Sequence, residues 1–160
     1  MNKEDIFARL KHQGILYHVA EHKAVTTIAE KTLCFPADAE VIAKNLFLCD
    51  DRRQDYYLVL LQNDKVLNLK SLREQIGSRR LTFANEQELG RILGLTAGGV
   101  SPFGIWNDSK RRTTLLVDSF FCGKEIGVHP NDNTVTVWLS ADALLDMVRC
   151  HGNRAEWIKI

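Results

Sequence analysis

Seven consecutive residues, Gly98-Gly99-Val100-Ser101-Pro102-Phe103-Gly104, divide this chain. Three are glycine, one is proline and none is charged, in a sequence that is 26% charged. Helical periodicity stops just before the stretch, and strand-like segments begin just after it. Glycine lets the backbone adopt positive φ and lets another group approach the main chain closely. Proline then fixes φ and removes one N–H. Two readings follow. One is an ordinary connecting turn, since Gly and Pro are the usual punctuation of loops. The other is a stiff, bare loop whose N–H and C=O groups can face a small polar ligand.

On either side the pattern is mixed. Residues 2–13 place Ile6, Phe7 and Leu10 at helical spacing, with Asn2 as N-cap and Gly14 as stop. Residues 15–20 read as a strand and 25–33 as a second helix closed by Pro36. Residues 41–49 and 56–61 read as two strands of a hairpin around the charged turn 50–55. A third strand is expected at 65–69, then a short helix capped by Ser71 and ending at Gly77. Residues 81–83 read as extended, and Asn85 caps a helix over 86–93 that ends at Gly94. Beyond the glycine stretch, residues 105–108 lead into the basic run Lys110-Arg111-Arg112. Strands are expected at 113–117, 125–128 and 134–139, then a Ser140-capped helix over 141–150 and an edge strand over 155–160. Hairpins interleaved with helices imply an α+β fold around a mixed, largely antiparallel sheet, not a doubly wound parallel one.

At 160 residues the chain is expected to be one domain with a normal core. With 21 basic and 20 acidic residues its net charge is +1, so any grip on nucleic acid must be local. No apolar run approaches a membrane span. Met1-Asn2-Lys3-Glu4-Asp5 does not look like a signal peptide, and a cytoplasmic location is expected. Cys34, Cys49, Cys122 and Cys150 are widely spaced with no CxxC, which fits reduced thiols.

Two residues stand out chemically. Lys44 lies within Val41-Ile42-Ala43-Lys44-Asn45-Leu46-Phe47-Leu48, and lysine is almost never fully buried without a partner. Alternation puts Ile42, Lys44 and Leu46 on one face and Ala43, Asn45 and Phe47 on the other, unless a bulge brings Lys44 and Asn45 together. Lys44 is either a snorkelling edge lysine or a fixed ammonium for a phosphate or a developing negative charge. His129 ends a strand in the turn His129-Pro130-Asn131-Asp132-Asn133. It is either a surface histidine or the wall of a small pocket beside the glycine loop. Other arrangements fail. His18 and His22 sit in an extended segment and lack a third zinc ligand. Ser101 lacks the strand–turn–helix setting of a nucleophile elbow. No P-loop or dinucleotide fingerprint is present. The run Lys110-Arg111-Arg112 is a solvated turn or a contact to a phosphate backbone.

Taken together, Ala43-Lys44-Asn45-Leu46, Gly98 to Gly104 and Gly127-Val128-His129-Pro130-Asn131 resemble the prolyl-tRNA synthetase-associated editing-domain family. Lys44 matches the family's strand lysine, Gly98 and Pro102 the ends of its GxxxP loop, and His129 its late histidine. The His-Pro-Asn turn and the Ser-Pro-Phe-Gly form look most like the freestanding branch that acts on alanyl-tRNA(Pro). The cysteinyl-tRNA(Pro) branch is the nearest competitor, and a non-catalytic aminoacyl-tRNA-binding module is a further alternative. The resemblance implies a single editing domain over 1–160, with a curled sheet flanked by helices. It further implies hydrolysis of the ester joining a wrong amino acid to the tRNA 3′ adenosine, with no cofactor and no metal. Lys44, Gly98 and Pro102 would then carry catalysis. Asn45, Gly99, Ser101, Phe103 and His129 would bind substrate. The expected partners are the acceptor end of mischarged tRNA(Pro) and, for docking, a prolyl-tRNA synthetase. Neither DNA nor a membrane is expected, and the chain is expected to be a monomer.

Overall fold

The structure is a computed structural model that describes residues 1–23 and 41–160. The helix expected over 25–33, its closing Pro36, and Cys34 lie outside the described residues. The first helix, α1 (Lys3–His12), starts at a capping box. The Asn2 side chain accepts from the Asp5 N–H, and the Asp5 carboxylate accepts from the Asn2 N–H. Acidic residues in its first turn and basic ones in its last suit the helix dipole, and Ile6 and Leu10 are buried.

Strand β1 (Tyr17–Glu21) follows. After the gap come β2 (Ala43–Asp50), β3 (Tyr56–Gln62), α2 (Leu69–Ile76), β4 (Leu81–Phe83) and α3 (Glu86–Leu93). A 3-10 helix, Pro102–Asn107, leads to β5 (Thr113–Asp118), a short 3-10 turn Ser119–Phe121, and β6 (Glu125–Val128). The chain ends with β7 (Val135–Ser140), α4 (Ala141–His151) and β8 (Ala155–Ile158).

The strands form two open sheets, β1-β7-β6 and β4-β2-β3-β5-β8. The three-stranded sheet is antiparallel. In the five-stranded one, β3–β5 and β5–β8 are parallel, while β2 pairs antiparallel with β3 and β4. A single parallel bridge, Ile42 to Gly127, links the start of β2 to β6. The main core packs α1, α3, α4 and the Pro102 helix against one face of each sheet. A second cluster, with Leu72 of α2 over Leu48, Val59, Leu61 and Leu116, covers the other face of the five-stranded sheet. Burial on both sides explains why β3 reads as a continuous apolar run.

Most expected elements form, and the α+β reading holds. Two local readings are corrected. No strand forms at 65–69. Val66 is 87% exposed, so its apolar side chain marks no sheet face. The chain instead turns at Lys65, whose N–H donates to the Gln62 carbonyl. The α2 cap is Asn68, not Ser71, and its side chain accepts from the Ser71 N–H. Beyond the glycine stretch the chain runs first through the Pro102–Asn107 helix. Pro102 opens the 3-10 helix, where its fixed φ suits the first helical position.

Candidate functional site

In β6 and β7 alternate residues part company. Ile126, Val128, Val137 and Leu139 enter the main core. Gly127, Thr136 and Trp138 take the opposite face, as the two-residue period requires. A Cβ on Gly127 would lie 3.0 Å from Trp138 Nε1, 3.2 Å from Ile42 Cγ1 and 3.4 Å from Thr136 Cγ2, so glycine is what lets β2 approach β6 here. The His18 ring stacks on Trp138, with centroids 5.3 Å apart.

His129 follows β6 and is 5% exposed. Its Nδ1 lies 2.9 Å from the Val135 carbonyl oxygen. A carbonyl can only accept, so Nδ1 carries the proton in this contact. The turn beyond it is built by Asp132, whose Oδ1 accepts from the Thr134 N–H and hydroxyl. The Thr134 hydroxyl and N–H, with Lys3 at 3.3 Å, hold the Asp132 carboxyl below its usual range. His22 also belongs here. Its ring centroid is 6.1 Å from that of His129, and its Nε2 is 2.9 Å from Thr136 Oγ1. The sequence weighs His22 with His18 only as a metal pair, which the extended segment and the missing third ligand exclude. In an extended segment, residues four apart share a face, and that signal was available.

The glycine stretch has two unlike halves. At its open end Gly98 has φ 82° with nothing within 4 Å of a Cβ position, and the Gly99 N–H donates to the Thr96 carbonyl. From Ser101 on, the chain is buried. The Ser101 hydroxyl donates to the His129 carbonyl at 2.5 Å and accepts from the Phe103 N–H at 3.2 Å. Pro102 and Phe103 are likewise inside. This arrangement gives Ser101 and Phe103 the means to position the loop rather than to touch a ligand. A cleft of ≈ 520 Å³ opens beside Gly98 and Gly99, with Thr96, Lys3, Asn131 and Asn133 among its walls.

Lys44 and Asn45 lie in unbroken register against Leu61 and Leu60, so no bulge brings them to one side. Lys44 shares the face of Ile42, and Ile42 touches Gly127 on the polar side of the three-stranded sheet. Its ammonium donates to the Lys65 carbonyl at 2.6 Å. Lys65 in turn bonds the buried Asp118 carboxylate at 2.8 and 3.0 Å. Asn45 takes the other face with Ala43 and Phe47, and its Oδ1 is buried without a hydrogen-bond partner. The structure thus joins the glycine loop to His129 directly. Lys44 reaches the same side through the Ile42–Gly127 bridge, and Asn45 faces away.

Burial pushes the Cys49 thiol up, with Glu88 and Asp50 adding to it against Arg53, which disfavours a thiolate nucleophile there. Among the described residues no three His, Cys, Asp or Glu side chains are placed to hold a metal ion. Nor is any described helix long and apolar enough to cross a membrane. In the basic run, Arg111 donates to the His151 carbonyl, and Arg112 to those of Gln54 and Arg53.

Against known proteins, residues 22–147 match the aminoacyl-tRNA editing domain family. The chain is 38% identical over 159 residues to the prolyl-tRNA editing protein ProX of Acetoanaerobium sticklandii, covering 99% of this chain and 97% of that one. It is 30% identical to the prolyl-tRNA synthetase associated domain-containing protein 1 of Mus musculus, covering 94% and 92%. Its fold matches a crystal structure described as a candidate trans-editing enzyme for prolyl tRNA synthetase, with a TM-score of 0.75, 21% identity and 99% and 96% coverage. With the matched segment running from His22 through the bridge at Ile42, the glycine loop and His129, the chain belongs to the aminoacyl-tRNA editing domain family and is an aminoacyl-tRNA deacylase.

Proposed function

We propose that this chain acts in trans on mischarged tRNA(Pro), with alanyl-tRNA(Pro) as its preferred substrate. The observation that carries the reading is the Ser101–His129 hydrogen bond, which fixes the glycine loop against the histidine turn beside an open cleft. Likeness to the protein named ProX supports the tRNA(Pro) assignment. The His-Pro-Asn turn and the Ser-Pro-Phe-Gly sequence support alanine.

An aminoacyl ester is already activated, so correct placement of water and the ribose hydroxyl supplies much of the catalysis. Water adds to the ester carbonyl, the bond from that carbon to the ribose oxygen breaks, and the ribose oxygen takes up the proton. The substrate's own neighbouring ribose hydroxyl orients the water. In this scheme Lys44 leaves the Lys65 carbonyl to meet the 3′-terminal phosphate or ribose. The Gly98–Pro102 backbone, with Gly99, holds the ester carbonyl. Ser101, Pro102 and Phe103 keep that backbone in place, and His129 bounds the side-chain pocket. Asn45 faces away from this side and takes no part in holding the substrate. One methylene is worth only about 1–3 kcal/mol in a pocket, so prolyl-tRNA is spared by clash. The same reading makes residues 1–160 one editing domain, a cytoplasmic monomer that needs no cofactor and docks on prolyl-tRNA synthetase.

The test is ester loss from alanyl-, cysteinyl-, seryl- and prolyl-tRNA(Pro). Alanyl-tRNA(Pro) is expected to be cleared fastest and prolyl-tRNA(Pro) spared. Faster loss of the cysteinyl ester would replace the alanine assignment. Tight binding with no ester loss would make the chain a binding module. Lys44→Ala is expected to fold and to lose at least about tenfold in rate, equivalent to about 1.4 kcal/mol. Arg at this position is expected not to restore it fully, because a planar fork is not a compact ammonium. Wild-type turnover in Lys44→Ala would remove this residue from the mechanism.

A further inference from the structure

A second cleft, of ≈ 100 Å³, lies between α3 and the turn after the Pro102–Asn107 helix, with Arg91, Asn107, Lys110 and Arg112 at its rim. Its charge is unbalanced. The chain as a whole carries only +1, yet among the described residues none of Arg91, Lys110 and Arg112 forms an ion pair. Asp108, the acidic residue in the cleft's wall, and Glu88 close by are both buried and engaged in other bonds. Asp108 accepts from the Thr113 N–H at 2.7 Å and from Asn153 Nδ2 at 3.0 Å. Glu88 is held by Arg53, the Tyr56 hydroxyl and the Asn85 N–H. Burial alone would raise the Glu88 carboxyl, but these partners bring it below its ordinary value, so it stays an anion committed to Arg53.

The arginines are also pre-set. Arg112 donates to two main-chain carbonyls, and its guanidinium lies 5.0 Å from the centre of the Tyr56 ring. Arg91 Nη2 reaches the Tyr56 hydroxyl at 3.5 Å. An arginine held in this way loses less freedom when it meets an anion.

Position gives the cleft its meaning. The Pro102–Asn107 helix starts at the end of the glycine loop and ends at the cleft. Six residues of 3-10 helix span about 12 Å. A fourth cation, Arg9, sits 5.1 Å above the ring of Trp106 on that same helix. A polyanion whose end enters beside Gly98 therefore has cations within reach of the next few phosphates. A peptide partner would need matching carboxylates.

We propose that the Arg91–Lys110–Arg112 cleft grips the phosphate backbone of the RNA whose aminoacylated 3′ end is hydrolysed at the His129 site. This rests on the function proposed above. It adds a sequence-independent hold that raises affinity without touching the ester.

The test compares wild type with the double variant Arg91→Ala/Lys110→Ala. Both side chains are exposed, and Arg112 is left alone because it supports the main chain. Two substrates are used, full-length alanyl-tRNA(Pro) and an alanylated CCA trinucleotide. With the full-length RNA, KM is expected to rise about tenfold, a loss of about 1.4 kcal/mol, with kcat unchanged. With the trinucleotide, kinetics are expected to match wild type. Binding of uncharged tRNA(Pro) is expected to show a log K against log salt slope reduced by about one to two. The charge-preserving Arg91→Lys/Lys110→Arg variant is expected to restore most of the KM. Equal losses on both substrates, or an unchanged KM and salt slope, would overturn the proposal. A defect seen only when prolyl-tRNA synthetase is added would overturn it in favour of a protein-docking surface. If wild type cleaves neither alanyl ester, the alanine assignment fails, while the salt-slope arm still reports on the cleft.

Discussion

The two faces of the three-stranded sheet are made from the same strands, yet they do opposite work. Toward the main core, Ile126, Val128, Val137 and Leu139 form a dry, interchangeable apolar surface. On the other face, one residue along in each strand, Gly127, Thr136 and Trp138 meet His18, His22 and Ile42 at specific atoms. The first face depends on volume, the second on shape and hydrogen bonds. Mutations should therefore separate stability from chemistry according to which face of the sheet a position takes.

The largest expected effect is on the apolar face. Leu139→Ala removes a fully buried side chain and should cost about 2–5 kcal/mol, read as an earlier midpoint in urea. Its folded fraction should keep wild-type kcat. A specific loss of kcat at full folding would break the division between the faces.

Next comes Gly127→Ala. The added methyl meets Trp138 and Ile42 at distances that force one of them to move. Overpacking of this kind costs about 1–3 kcal/mol. Because β2 carries Lys44, deacylation measured on the folded protein should fall further than the stability change accounts for. A lower melting temperature with unchanged kcat/KM would show that the Ile42–Gly127 junction is structural only.

The smallest effect is assigned to Thr136→Val, which keeps volume and deletes the hydroxyl beside His22 Nε2. Stability should stay within about 1–1.5 kcal/mol of wild type. Deacylation should fall by no more than about tenfold, the factor for 1.4 kcal/mol. An effect on rate as large as that of Lys44→Ala would promote His22 from a neighbour of the site to a principal group in it.

Much of this was legible in the sequence because local signals agreed with the fold. Asn2, Asn85 and Ser140 cap where their side chains can accept from the third N–H onward, and Gly77, Gly94 and Gly152 end helices with left-handed φ. The 65–69 segment misled because Val66 and Leu67 look strand-like, while Asn68 holds a stronger local instruction as a cap. At the site, Lys44 was marked by being a charge within an apolar run. Its neighbour relations were not readable, since the bond to the Lys65 carbonyl depends on where a turn 21 residues away comes to rest. Ser101 was singled out for the loop it occupies. Its bond to the His129 carbonyl joins positions 28 residues apart and leaves no trace in either local pattern. His22 was hidden for a similar reason, since only the pairing of β1 with β7 brings it beside Thr136 and His129.

That pairing has a consequence for how the protein is made. The β2–β3 hairpin closes from neighbouring residues and can form as soon as they leave the ribosome. The His22–Thr136 contact spans 114 residues, and Asn131 reaches back 130 residues to the Met1 carbonyl. During synthesis β1 must wait for its partner until β7 emerges, more than a hundred residues later. The polar face of the three-stranded sheet therefore cannot form until β7 has been made.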